Sequence, residues 1–179
     1  MTTLINILTL SRILLAAIIF VLLMSPDGYF LALVLFFLAG VTDYFDGYLA
    51  RKYNAVSQLG EILDPIADKI LILFVLFGLA INLSSYLIGF IGAIIITREI
   101  WVGALRDLNA RKGKSNLTKV IFLAKVKTTV QLFTLSIYLF GLAVNNMFII
   151  VIADVMLFIS FIITIYTGLI YSINTFKPK

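Results

Sequence analysis

The stretch "TDYFDGYLARKYNAVSQLGEILDPIADK", residues 42–69, carries four aspartates: Asp43, Asp46, Asp64 and Asp68. Elsewhere the chain avoids charge. Of its 179 residues, 62% are hydrophobic and 13% charged, against about 45–50% and about 25% in an ordinary soluble domain. A chain this apolar is expected to live in a membrane, so four carboxylates gathered into one short stretch demand a purpose.

A spanning helix needs roughly 20 mainly apolar residues. Six segments qualify, at about 5–24, 29–53, 58–81, 86–108, 119–141 and 147–171, and together they make an all-α, polytopic membrane protein with a single domain over 1–179. The breaks carry turn chemistry: Ser25, Pro26, Asp27 and Gly28; Asn54 and Ala55; Asn82 to Ser85; Arg111 to Ser115; Asn145 and Asn146. The first segment has no basic start and no small-residue cleavage site, so it reads as a span rather than a signal peptide.

Every one of the 14 Lys and Arg residues falls in the half of the molecule that holds both termini and the 2–3 and 4–5 loops. The positive-inside rule makes that half cytoplasmic, which fits a cytoplasmic (inner) membrane with both termini inside. The net charge of +5 then reports topology and anionic ligands rather than nucleic acid. Cysteine and histidine are absent, which removes disulfides, thiol nucleophiles, Ser-His triads and common zinc sites.

Depth organises what is left. At about 1.5 Å per residue, Asp43 lies roughly 21 Å from the outer end of span 2 and Asp68 roughly 20 Å from that of span 3. Arg12, Arg98 and Lys127 fall at roughly 18–21 Å by the same count. Ionisable groups from five spans therefore share one layer near the cytoplasmic edge of a roughly 30 Å hydrocarbon core. Asp43, Asp46, Gly47 and Ala50 form one helical stripe, and Gly60, Asp64, Ala67 and Asp68 form its counterpart. Pro65 removes a backbone donor and frees the carbonyl of Glu61 beside that groove.

An ionised aspartate in a membrane helix costs about 2.5–3.5 kcal/mol on insertion scales, and four together also repel. The chain's own cations are expected to serve elsewhere, leaving one or two Mg²⁺ or Mn²⁺ ions as the compensation, since hard divalent ions take oxygen ligands. A blander alternative pairs Asp43 or Asp46 with Arg51. Asp154, alone in span 6, reads as an interhelical hydrogen-bond partner. Lys112, Lys114, Lys177 and Lys179 read as solvated or headgroup-facing charges, and the many Phe and Tyr residues as lipid-facing packing.

The order Asp43-x-x-Asp46-Gly47-x-x-Ala50-Arg51, eight residues, Gly60, three residues, Asp64, three residues, Asp68 resembles the signature of the CDP-alcohol phosphotransferases at every specified position. "NILTLSR" (6–12), "TREIWVGALRD" (97–107) and "AKVKTTVQ" (124–131) look like the branch of that family that phosphatidylates glycerol 3-phosphate. No proline precedes Asn6, a small departure from that pattern.

The resemblance implies a six-helix membrane enzyme, usually a homodimer. It would move a phosphatidyl group from CDP-diacylglycerol to sn-glycerol 3-phosphate and release CMP. It implies metal ligation by Asp43, Asp46 and Asp64, with Asp68 both touching metal and removing the acceptor's proton. It implies contacts to the CDP-lipid from Gly47, Ala50, Arg51, Ser57 and Gly60, joined by Asn6 and Thr9 of span 1. Arg98, Arg106, Lys125 and Lys127 would hold the acceptor's phosphate, although Lys125 and Lys127 are two apart and so face opposite ways on a helix. Another acceptor, serine or an inositol phosphate, is the rival within the family. A divalent-cation transporter is the rival outside it, disfavoured because the polar layer sits at one face rather than at the midplane.

Overall fold

The computed structural model describes residues 2–53, 58–118 and 122–177, with the side chains of 2–6, 44, 46–53, 58, 59, 61, 62, 64 and 115 outside that description. Its long elements are α1 (Thr2–Leu22), α2 (Tyr29–Tyr53), α3 (Gln58–Asn82), α4 (Tyr86–Arg111), α5 (Phe122–Ala143) and α6 (Met147–Phe176). These coincide with the six apolar segments, and no strand occurs among the described residues.

The turns form where small and polar residues interrupt the apolar runs. After α1, Ser25 is extended and Pro26 opens a single 3-10 turn, Pro26–Gly28. Gly28 is required there, because a Cβ at that position would sit 2.3 Å from the Leu22 carbonyl oxygen. Ser85 caps α4 by accepting from the Ile88 amide at 3.3 Å, and Asn146 caps α6 by accepting from Phe148 at 3.0 Å. Each satisfies an amide that the first helical turn cannot.

Two helices outrun their expected ends. α4 continues to Arg111 and α6 to Phe176, past the apolar runs. An Arg111–Asp107 ion pair at 2.8 Å and an Asn109 to Thr175 hydrogen bond at 2.9 Å support these polar extensions. A 3-10 turn, Ser115–Thr118, precedes α5; the expected start of that segment, at 119, lies outside the described residues.

α1 packs against α2 and α3, and α6 packs against α4 and α5; α2–α5 and α3–α4 contacts join the two halves. The ring order is therefore α1, α2, α5, α6, α4, α3. The apolar core, including Ile19, Leu23, Val75, Leu79, Ile88 and Leu139, holds the ring together toward the end away from the chain termini. Large apolar side chains such as Phe30, Phe37, Phe90 and Phe133 stay more than half exposed, as expected where lipid rather than water is the neighbour.

Five helices carry stretches long and apolar enough to cross a membrane. The first carries a shorter apolar stretch, Ile7–Leu22, within a helix of 21 residues, about 31 Å long at the standard rise. Buried polar side chains, Thr9, Arg12, Arg98, Lys127, Gln131, Thr164 and Thr167 among them, lie on the parts of the helices nearer the termini. The single layer expected from depth counting resolves into two clusters, one in each half of the ring.

Candidate active site

The first cluster joins α1, α2 and α3. Arg12 is fully buried, with Ala16 one turn further along the same face also buried. Its NH1 nitrogen donates to Oδ1 of Asp43 and to Oδ1 of Asp68, the latter at 2.6 Å. One guanidinium nitrogen thus gathers carboxylates from facing helices. Their bonded oxygens are no more than about 6 Å apart, twice a hydrogen-bond length. Ala39, one turn before Asp43, and Ala67, beside Asp68, are completely buried, and Gly60 is buried as well. Small residues therefore let the helices close behind the acids, while each carboxylate remains about half exposed, at 50% and 49%.

This corrects one expectation: the chain does use a cation of its own on the aspartates. Arg12 bridges Asp43; the alternative pairing with Arg51 falls on a side chain outside the described residues. Paired charge-assisted hydrogen bonds are the strong kind, and here they offset the repulsion between two carboxylates held close together.

The same geometry fits a hard divalent cation. Two carboxylates converge on one positive centre and stay open to water, as a magnesium-type ion prefers. Among the described residues no group of three or more acidic side chains gathers to hold a metal. The side chains of Asp46 and Asp64 lie outside the described residues, as do those of Asn6, Gly47, Ala50 and Arg51 and the whole of Ser57. Thr9 is buried on α1.

The second cluster joins α4, α5 and α6. Oε1 of Glu99 accepts from NH1 of Arg98 at 2.8 Å and from Nζ of Lys127. Arg98 is fixed from its other side by α6: Nε donates to the Thr164 carbonyl at 3.1 Å and NH2 to the Thr167 hydroxyl at 2.6 Å. Gln131 completes the cluster by donating to the Thr164 hydroxyl at 3.2 Å. Gly168 makes room, since a Cβ there would lie 3.0 Å from Arg98 Cγ.

The buried Tyr171 ring has the Arg98 guanidinium 5.9 Å and the Arg106 guanidinium 5.4 Å from its centroid, within cation–π range. A line of cations thus runs from exposed Arg106 inward to Arg98 and Lys127. Lys127 is buried and Lys125 exposed, as their spacing of two requires.

The structure gathers Asp43 with Asp68, and Arg98 with Lys127 and Arg106. It leaves Lys125 on the surface. Glu99, Tyr171, Thr164 and Thr167 were not singled out from sequence; Glu99 shares the depth of Lys127 and adjoins Arg98, so counting acids as well as bases in the layer would have found it. Asp154 accepts from the Tyr138 hydroxyl of α5, the interhelical partnership expected of it.

The model of the CDP-alcohol phosphatidyltransferase family matches residues 2–166. The chain is 40% identical over 171 residues to the CDP-diacylglycerol–glycerol-3-phosphate 3-phosphatidyltransferase of Rickettsia bellii (strain RML369-C), covering 93% of this chain and 91% of that one. It is 34% identical to the protein of the same name from Wigglesworthia glossinidia brevipalpis, covering 92% and 90%. It is 36% identical to that from Escherichia coli (strain K12), over 73% of each chain.

Proposed function

Because this chain belongs to the CDP-alcohol phosphatidyltransferase family, we propose that it transfers the phosphatidyl group of CDP-diacylglycerol to sn-glycerol 3-phosphate, as its relatives' name describes, yielding phosphatidylglycerophosphate and CMP in phospholipid synthesis. The observation that carries this reading is the pairing of two unlike clusters on one ring of helices. An acidic one, Arg12 with Asp43 and Asp68, suits a metal and a nucleotide pyrophosphate. A net-positive one, Arg98 and Lys127 with Glu99, suits an anionic acceptor.

Asp43, Asp46, Asp64 and Asp68 would hold Mg²⁺ or Mn²⁺, two ions in the fullest form of this reading. Such ions, when bound, neutralise charge on a pyrophosphate and on a departing nucleotide. Asp68, half exposed and held by Arg12, takes the proton from the primary hydroxyl of glycerol 3-phosphate. That hydroxyl oxygen bonds to the phosphorus bearing diacylglycerol as the bond to CMP breaks, and CMP leaves with the bridging oxygen.

Asn6, Thr9, Gly47, Ala50, Arg51, Ser57 and Gly60 hold the CDP-lipid. Arg98, Lys127 and Arg106 hold the acceptor's phosphate, with Lys125 on the approach from the cytosol. Arg98 has five N–H groups, of which three are engaged in the bonds above, leaving donors for a ligand. The diacyl chains stay in the bilayer throughout. The reading includes six spans, one domain over 1–179, a homodimer in a cytoplasmic (inner) membrane, and termini and active site on the cytoplasmic side.

The test is CMP release by the purified protein. Release that requires both CDP-diacylglycerol and glycerol 3-phosphate is expected. Release with serine or an inositol phosphate but not with glycerol 3-phosphate would overturn the acceptor assignment.

A further inference from the structure

Glu99 has no part in the chemistry described so far, yet it organises the second cluster. A single oxygen of its carboxylate accepts from both Arg98 and Lys127. All three side chains are largely withdrawn from solvent, at 7%, 5% and 19% exposure for Arg98, Lys127 and Glu99. Two cations so placed would repel and separate; sharing one oxygen keeps their nitrogens within about 6 Å of one another.

The rest of the cluster is built to the same end. Thr164 and Thr167 fix the plane of the Arg98 guanidinium from α6, and Gly168 is cut back to seat it. Lys127 has three N–H donors and spends one on Glu99. The triad carries a net charge of +1, and Arg106, which packs on the same Tyr171 ring as Arg98, brings it to +2. A phosphate monoester carries about −1.5 to −2 near neutral pH.

We propose that Glu99 is a positioning residue for acceptor recognition: by holding Arg98 and Lys127 on one oxygen, it sets the spacing at which the two cations grip the acceptor's phosphate. This rests on the reading above that these cations meet that phosphate. The rival account is that Glu99 only fastens α4 to α5. That account predicts loss of folded protein with no selectivity between the two substrates.

Steady-state kinetics on the full-length purified protein, varying each substrate in turn, separate the two. Glu99→Gln should raise the KM for glycerol 3-phosphate about tenfold or more while moving that for CDP-diacylglycerol less than about twofold. Glu99→Asp, which keeps the charge and shortens the reach by one methylene, should fold and give an intermediate KM. Because Glu99 acts through Lys127, adding Glu99→Gln to Lys127→Met should cost less than it does alone.

An unchanged KM for glycerol 3-phosphate in Glu99→Gln and Glu99→Asp would overturn the proposal. Parallel changes in both KM values, or strict additivity with Lys127→Met, would do the same. If the unmutated protein consumed no glycerol 3-phosphate, the acceptor assignment would fall and this proposal with it; if it did and the variants matched it, only this proposal would fall.

Discussion

Replacing Arg12 with Gln removes a positive charge that donates to both Asp43 and Asp68. Charge-assisted hydrogen bonds contribute about 1.5–3 kcal/mol each, and half-exposed carboxylates reduce that to roughly 1–1.5 kcal/mol each. The two carboxylates, no more than about 6 Å apart, would then repel without the Arg12 charge between them, at about 3 kcal/mol for an effective dielectric of 20 and less with solvent screening. The total loss without divalent cations is about 3–4 kcal/mol. For a chain of this size, about 2–4 °C of melting temperature per kcal/mol gives a fall of roughly 6–16 °C. Divalent cation bound at the same carboxylates supplies the missing charge, so saturating Mg²⁺ should recover about half of the fall or more. The assay is thermal unfolding of detergent-solubilised protein, wild type and Arg12→Gln, in EDTA and in Mg²⁺. Equal differences between the two proteins in both conditions would refute the idea that Arg12 and a metal serve the same carboxylates.

Other outcomes follow from the same two clusters. Asp43→Asn and Asp68→Asn should each lower turnover at least a hundredfold, with Asp68→Asn sparing CMP binding more than Asp43→Asn; equal losses of CMP affinity would argue against a base role for Asp68. Chelation should stop turnover and Mg²⁺ or Mn²⁺ restore it, and full activity in excess EDTA would remove the metal from the account. Arg98→Ala should raise the KM for glycerol 3-phosphate roughly ten- to a hundredfold while leaving that for CDP-diacylglycerol nearly unchanged, as measured by varying each substrate. Tyr138→Phe deprives Asp154 of its donor and should cost about 1–3 kcal/mol of stability with kcat within about twofold; a collapse of kcat in folded protein would give Asp154 a part in the chemistry.

The six long helices and most of their ends could be read from sequence because a bilayer imposes a length on apolar segments: about 20 residues between turn-forming groups. That rule fails where a more polar stretch continues a helix past its apolar run, as in α4 to Arg111 and α6 to Phe176; hydrogen bonding rather than apolarity sustains those turns. Depth was readable too, since it needs only the helical rise. What a depth count cannot give is azimuth and neighbour. Arg12, Arg98 and Lys127, singled out by that count, are all buried within the ring. That Arg12 faces Asp43 and Asp68 while Arg98 and Lys127 face Glu99 depends on the ring order α1, α2, α5, α6, α4, α3, which no single helix encodes. Glu99 was overlooked for a related reason. Adjacent to a cation on one helix, it reads as a local neighbour, and its partner Lys127 comes from another helix altogether. The convergence of Asp43 and Asp68 was predictable because each sits in a stripe of small residues, Gly47 and Ala50 on one helix and Gly60 and Ala67 on the other, and Gly60 and Ala67 are buried.

The most direct test of the central claim is a competition among acceptors. Purified protein receives CDP-diacylglycerol with equimolar glycerol 3-phosphate, serine and an inositol phosphate, and mass spectrometry identifies the lipid formed while CMP is counted. The account predicts phosphatidylglycerophosphate as the dominant product, with one CMP released per lipid made. Phosphatidylserine or a phosphatidylinositol phosphate as the main product, or CMP release with no new phospholipid, would contradict it.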